Sequence, residues 1–130
     1  CSLCTDARRN QQQLCIVAYP KDIFAIEETK TFSGLFHVLG TLLSPIDGRL
    51  PDKEGIDRLL RRIAEKQIYE VIIALDSTLE GDATALFLKK ELAPFNIAIS
   101  RLAFGLPMGS SLDYVDGGTL ARAFSGRRTF

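Results

Sequence analysis

The sequence has few cysteines, no net charge and no long apolar run. Its sixteen basic and sixteen acidic residues cancel, so the surface as a whole has no field that would attract nucleic acid. The longest apolar runs, such as residues 71–75, are strand-sized, whereas a membrane helix needs about 20 apolar residues. These absences predict a soluble, cytoplasmic protein. Its 130 residues, 46% of them hydrophobic, suffice for one domain with a buried core.

The three cysteines are too few, and odd in number, for a secreted disulfide scaffold. Cys15 lies in the apolar run LCIV and is expected to be a small buried side chain. Cys1 and Cys4 form a CxxC pair, which supplies two of the four ligands that a structural zinc site requires. The pair therefore predicts half of a zinc site in a fragment whose missing N-terminal portion carries the other half. A redox CxxC is the competing interpretation, although no strand precedes the pair as a thioredoxin-like site would need.

Strand and helix signals alternate along the rest of the chain. Strands are predicted at residues 14–17, 35–39, 71–75 and 97–103, and helices after Pro20, around 56–63, at 79–92 and around 120–124. This alternation predicts an α/β fold with an open, Rossmann-like parallel sheet of about four strands and flanking helices. In such sheets ligands and partners bind at the carboxyl ends of the strands, which here precede the loops 18–21, 76–82 and 105–111.

Three carboxylates follow the third predicted strand in the stretch DSTLEGDA. Asp76 ends that strand, and Glu80 and Asp82 open the next helix, so the three are expected to crowd one edge of the sheet. Carboxylates placed in this way can hold Mg²⁺ for phosphoryl chemistry. The alternative is structural, because Ser77 and Glu80 fit the capping box S-x-x-E and acids in a first helical turn are stabilised by the helix dipole. The sequence leaves both interpretations open.

Other polar residues give weaker signals. His37 stands alone in the strand LFHVL, with no cysteine or acid at ligand spacing, and is expected to be a hydrogen-bonded core histidine. The loop GLPMGSS lacks the lysine of a phosphate-binding GxxxxGK[ST] motif and is interpreted as a turn and contact loop. The candidates for phosphate contact are basic: Arg8, Arg9, Arg58, Arg61, Arg62, Arg127 and Arg128. Most of them are expected to be solvated helix residues or ion-pair partners instead, because acids are interleaved with the central group.

The order of elements, with a third strand that ends in DSTLEGDAT, resembles a Toprim domain, the unit shared by topoisomerases, primases and recombination proteins. A longer series of motifs resembles the RecR family of bacterial recombination mediators over essentially the whole chain: CSLCTDARR, LCIVAYPKDIFAIE, GLFHVLG, LLSPIDG, STLEGDATALFL, SRLAFGLPMGSSLDYVDGGTL and GRR. This resemblance implies the C-terminal half of a Cys4 zinc finger at residues 1–13, a Toprim domain at 14–104, and a loop, short helix and basic tail at 105–130. The family's N-terminal helix-hairpin-helix domain and first CxxC pair have no counterpart in the sequence.

The sequence departs from catalytic Toprim enzymes at the positions that carry the chemistry. Those enzymes share a glutamate just after the first strand and a D-x-D after the third, whereas this chain has Ala18 or Tyr19 at the first place and Thr78 at the second aspartate. Asp76 alone remains. Because Ala18 cannot act as an acid or base and Thr78 offers a neutral oxygen, a two-metal or acid–base mechanism lacks its groups. The sequence therefore predicts a protein without enzymatic activity.

The resemblance implies a DNA-repair mediator that acts with RecO and RecF and helps to load RecA on gapped DNA. It also implies a ring-like homo-oligomer, dimer or tetramer, and one structural zinc with Cys1 and Cys4 among its ligands. In that role Asp76, Glu80 and Asp82, here called the acidic edge, are expected to dock a basic patch on RecO or RecF.

Arg8 and Arg9 are the predicted nucleic-acid contacts. The alternative function is a Mg²⁺-dependent Toprim nuclease or nicking enzyme that uses the acidic edge in a rearranged site. A receiver domain with Asp76 as phosphoacceptor is weaker, since it would need a lysine near the end of the fourth strand, where Arg101 stands.

Overall fold

Strands and helices alternate in the structure as the sequence pattern predicts. The structure is a computed structural model that describes residues 5–44, 46, 48 and 52–129, so the predicted zinc ligands Cys1 and Cys4 lie outside the described residues. Its elements are β1 (Gln13–Val17), α1 (Pro20–Thr29), β2 (Leu35–Val38), α2 (Lys53–Glu65), β3 (Glu70–Ala74), α3 (Leu79–Leu92), β4 (Ala98–Arg101) and α4 (Gly117–Ser125).

The four strands form one parallel sheet in the order β2-β1-β3-β4. Leu14 of β1 lies between Leu35 of β2 and Val71 of β3, which aligns the carboxyl ends of these strands at one edge of the sheet. The predicted α/β class, with a parallel sheet of about four strands, is therefore confirmed. The fourth strand is shorter than the predicted 97–103 because β4 pairs only with β3, which ends at Ala74 and offers no further ladder.

Both faces of the sheet are covered by helices. On one face α2 and α3 bury the larger hydrophobic cluster, in which Leu59 of α2 and Leu88 of α3 are fully buried. On the other face the side chains of α1 pack on a smaller cluster around Cys15 and Phe36. Cys15 is 2% exposed and has no disulfide partner among the described residues, and burial raises the pKa of its thiol to about 12. The prediction of a small buried cysteine is confirmed.

Arg9 attaches the segment before β1 to the domain. Its Nε donates a 2.7 Å hydrogen bond to the carbonyl of Gly34, and its two terminal nitrogens donate to the carboxylate of Glu27 on α1. The guanidinium also lies 5.7 Å from the centroid of the Phe36 ring, a distance at which a cation and an aromatic face attract. Through this one side chain the N-terminal segment contacts both α1 and the start of β2.

Among the helices of the described chain, none combines the length and the apolar character that crossing a bilayer requires.

Candidate functional site

A concave pocket of about 310 Å³ opens at the carboxyl ends of β1, β2 and β3. This is the edge at which the sequence places its candidate residues, and it is where parallel sheets bind their ligands. The pocket is lined by Tyr19, Gly40, Thr41, Leu42, Ser44, Asp76, Thr78 and Glu80. It therefore brings together two of the three carboxylates of the acidic edge.

Asp76 and Glu80 lie at the rim of this pocket. The Asp76 side chain is exposed and that of Glu80 is half-buried. Among the described residues, no arginine, lysine or histidine forms an ion pair with either carboxylate. Two neighbouring negative charges without a partner of opposite sign make this rim suited to a cationic ligand or protein surface.

Asp82 lies elsewhere, and its charge is already compensated. Its Oδ1 accepts a 2.6 Å hydrogen bond from Arg101 and its Oδ2 a 2.7 Å hydrogen bond from Arg122. Hydrogen bonds from Arg122 and Arg101 lower the pKa of this carboxyl below its usual value. Within the part of the chain that the structure describes, no three His, Cys, Asp or Glu side chains are placed to share a metal ion. The three carboxylates therefore do not share this pocket, since Asp82 is paired with Arg101 and Arg122 instead.

The capping box predicted from Ser77 and Glu80 is also wrong. Helix α3 begins at Leu79 with Thr78 as its N-cap, and the Thr78 hydroxyl accepts a 3.0 Å hydrogen bond from the backbone N–H of Gly81. A capping box needs a Glu or Gln as the third residue of the helix, where its side chain accepts a hydrogen bond from the N-cap backbone N–H. With Thr78 as the N-cap, the third residue of α3 is Gly81, which has no side chain for this bond. A Cβ at this position would overlap the backbone carbonyl of Asp76, so the tight turn from β3 into α3 depends on a glycine.

The positions of the missing catalytic acids are filled by groups with other roles. Ala18 is buried at the end of β1, 3% exposed, and Tyr19 precedes α1 with its backbone N–H donating to the Asp22 carboxylate. Thr78 is occupied as a helix cap. None of these three residues offers a carboxylate to the pocket.

Matches to known families cover almost the whole chain. The chain matches the Toprim domain model over residues 12–103 and the RecR C-terminal model over residues 105–128. The chain belongs to the RecR family. It is similar to proteins named recombination protein RecR, at 63% identity in Protochlamydia amoebophila, 58% in Chlamydia pneumoniae and 55% in Chlamydia trachomatis serovar L2. These matches cover all of this chain and 66%, 64% and 64% of the respective relatives, so the chain spans slightly less than two thirds of their length.

The two arginines predicted to contact DNA differ in availability in this RecR-family chain. The Arg8 side chain is 91% exposed and pairs with Asp6 at 3.1 Å, an interaction that lowers the pKa of the Asp6 carboxyl. The Arg9 side chain is 11% exposed, and its donors are used by Glu27 and Gly34. DNA contact stays a prediction for both, but a phosphate would have to displace Glu27 to reach Arg9, whereas it can approach Arg8 from solvent.

His37 is hydrogen-bonded, as predicted. Its ring is half-buried, with Nδ1 3.3 Å from Nη1 of Arg62, which also donates a 2.8 Å hydrogen bond to the carbonyl of Phe36. Burial, and next the positive charges of Arg62 and Arg58, lower the pKa of His37 to about 4. The imidazole is therefore neutral at physiological pH. Arg62 is not a purely solvated helix residue, since it joins α2 to the edge strand β2.

Sequence reasoning missed the surroundings of Asp82. In the sequence Arg101 has significance only as the residue that replaces the lysine of a receiver domain, and Arg122 and Phe104 belong to no motif. The guanidinium carbons of Arg101 and Arg122 lie 4.8 and 4.7 Å from the centroid of the Phe104 ring. A lone acid followed by arginines about 20 and 40 residues later is too common a pattern to predict such a contact.

Proposed function

We propose that this chain is the assembly and partner-docking module of a DNA-repair mediator that has no catalytic activity of its own. The mediator would act with RecO and RecF in recombinational repair and help to load RecA on gapped DNA, as the family resemblance implies. Relatives named recombination protein RecR, 55–63% identical over the whole chain, support the repair role. The observation that carries the docking role is that the carboxylates of Asp76 and Glu80 line one pocket and form no ion pair with any residue the structure describes.

The proposal rests on what the pocket offers and what it lacks. It presents negative charge at the carboxyl edge of the sheet, but Ala18 and Thr78 stand where catalytic Toprim enzymes have acids. General acid–base catalysis needs a group that gains and loses a proton near the reacting atom, and neither side chain does so at neutral pH. A charged rim that lacks the acids at these two positions is better suited to binding than to cutting DNA.

The partner surface is expected to be basic. Charge complementarity of this kind raises the association rate and the specificity more than the affinity, and salt screens it. Asp76 and Glu80 would supply most of the attraction. Asp82, the third residue of the acidic edge, would contribute less because Arg101 and Arg122 already neutralise it.

Binding of purified RecO and RecF to this chain tests the docking role. The Asp76→Lys and Glu80→Lys variants are expected to weaken binding about tenfold each at low salt, with a smaller difference at high salt. Glu28→Lys is the matched control, because Glu28 is an exposed acid near the C-terminal end of α1 and outside the pocket. Equal binding by all three variants and the unaltered chain would refute docking at this rim.

The absence of catalysis has its own test. A plasmid-nicking assay with Mg²⁺ or Mn²⁺ is expected to show no cleavage by the purified chain. Nicking that disappears in Asp76→Asn would overturn the non-catalytic assignment and favour a Toprim nuclease.

The remaining parts of the proposal concern the whole mediator. We propose that Cys1 and Cys4 are two ligands of one structural zinc, that Arg8 contributes to contacts with junction DNA, and that the mediator is a ring-like homo-oligomer. These features follow from the family resemblance.

A further inference from the structure

Helix α4 contacts the domain without entering its hydrophobic core. None of its residues, Gly117–Ser125, is buried, and none belongs to either hydrophobic cluster. A helix of nine residues is too short to be stable on its own in water, so contacts with the rest of the chain must hold it in place. Polar and aromatic contacts therefore hold α4, whereas α1, α2 and α3 are held by packing on the two hydrophobic clusters.

One carboxylate connects α4 to two other elements. Asp82 on α3 accepts hydrogen bonds from Arg101 at the end of β4 and from Arg122 on α4, at 2.6 and 2.7 Å. Bonds between two charged groups at such distances are among the stronger hydrogen bonds in proteins. Asp82 is thus the point at which α3, β4 and α4 meet.

Phe104 completes the arrangement. The guanidinium carbons of Arg101 and Arg122 lie 4.8 and 4.7 Å from the centroid of its ring, within the range of cation–π attraction. Near the end of α4, a Cβ added at Gly126 would lie 3.9 Å from the Phe104 carbonyl oxygen, so the helix end is also close to this residue. Asp82, Arg101, Phe104 and Arg122 are here called the Asp82 cluster.

The stability of the Asp82 cluster depends on the charge of one group, the Asp82 carboxylate. Two positive guanidinium groups are brought together by a single negative carboxylate. If Asp82 is neutral, the guanidinium groups of Arg101 and Arg122 repel each other, and the contact changes from attractive to repulsive. Among the described residues no other acid forms an ion pair with either arginine.

Another acid beside the Asp82 cluster already has partners of its own. Asp116 lines a pocket together with Arg122 and Phe104, but its carboxylate caps α4. It accepts hydrogen bonds from the backbone N–H and the hydroxyl of Thr119, at 3.1 and 2.6 Å. Asp116 therefore cannot replace Asp82 without uncapping the helix.

We propose that α4 is a releasable C-terminal element, held against the Toprim domain by the Asp82 cluster and freed when the carboxylate of Asp82 is neutralised or screened. Release would leave the sheet and its two hydrophobic clusters intact, because α4 contributes nothing to either. The buried Nε of Arg101 has no hydrogen-bond partner among the described residues. An unsatisfied buried donor costs free energy, and this cost favours release of α4.

Amide hydrogen exchange of the complete chain tests the proposal. In Asp82→Asn, which preserves the shape of the side chain, the amides of residues 121–126 are expected to exchange about tenfold faster or more, while those of β1 and β3 change by less than about twofold. Glu80→Gln is the matched control, since Glu80 lies on the same helix but outside the Asp82 cluster, and it is expected to leave α4 unchanged.

Two further measurements check that the effect of Asp82→Asn comes from the loss of the ion pairs and not from another change in the variant. Arg122→Gln removes the same contact from the other side and should give the same local increase in exchange. Raising the salt concentration from about 0.05 M to about 1 M should speed exchange in α4 of the unaltered chain but not of Asp82→Asn, because only the former has the attraction to screen. Unchanged exchange in α4, or an equal increase throughout β1 and β3, would overturn the proposal.

Discussion

His37 shows how one side chain makes the stability of this fold depend on pH. The native ring has a pKa of about 4, whereas an unperturbed histidine in the unfolded chain titrates near 6.5. Below about pH 6.5 the unfolded chain takes up a proton that the native ring refuses, so stability is complete above that pH and falls progressively down to about pH 4.

We expect the free energy of unfolding to decrease by about 1–2 kcal/mol between pH 7 and pH 4.5 through His37, with allowance for the partial exposure of the ring. Urea unfolding at several pH values measures this loss, and His37→Gln should remove it. The carboxylates with lowered pKa, such as Asp82, lose their contribution only at lower pH, as their native pKa values are approached. An identical slope in His37→Gln and the unaltered chain would contradict this account.

The roles of some individual residues could be predicted from the sequence, and those of others could not. Ala18 and Thr78 could be, because the absence of a carboxylate is a property of the residue itself and needs no structure. Arg9 could not, because its sequence neighbourhood is basic and polar while its contacts come from Glu27 and Gly34, 18 and 25 residues away. The role of a long charged side chain depends on which surface it reaches.

Helix α3 illustrates what sequence patterns establish at the scale of an element. Both of its ends agree with the prediction, residues 79–92, because a buried strand precedes it and Pro94 follows it. Its cap was misassigned, since Ser77 and Thr78 are both good N-caps and only the backbone geometry distinguishes them. Strand β4 is shorter than predicted because apolar residues recur as far as residue 103, while its hydrogen-bonding partner β3 ends earlier.

The cap of α3 yields a prediction with its own control in the adjacent residue. Thr78→Ala removes the acceptor for the Gly81 N–H and should lower the free energy of unfolding by about 1 kcal/mol. Ser77→Ala should change it by less than about 0.5 kcal/mol, since Ser77 is exposed and precedes the cap. Urea unfolding of both variants decides between them. The capping box S-x-x-E predicts the reverse order, so a larger loss for Ser77→Ala would restore that interpretation.

For the whole molecule, alternation of strands and helices was enough to predict the parallel sheet, because crossover connections of this kind have few solutions. The arrangement at the edges of the sheet was not predictable in the same way. Asp82, Arg101 and Arg122 lie 19 and 21 residues apart in sequence and meet only after β4 and α4 are in place. The acidic edge is therefore divided into a pair that lines the pocket, Asp76 and Glu80, and a third member, Asp82, that two arginines neutralise.

The two arginines that follow the CxxC motif are expected to have different roles. Arg9 holds the N-terminal segment on the domain, and the exposed Arg8 can contact DNA. Arg9→Ala leaves the half-buried Glu27 carboxylate and the Gly34 carbonyl without their partner, and we expect it to lower the free energy of unfolding by about 2–3 kcal/mol. Arg8→Ala should leave stability unchanged, because the Arg8 side chain is 91% exposed. Urea unfolding of the two variants measures this difference.

If Arg9 served DNA rather than the fold, Arg9→Ala would be as stable as Arg8→Ala, and both would weaken binding of gapped DNA by the assembled mediator to a similar degree. Because the Toprim match begins at residue 12, a loss of stability confined to Arg9→Ala would mean that this side chain joins the preceding segment to the domain.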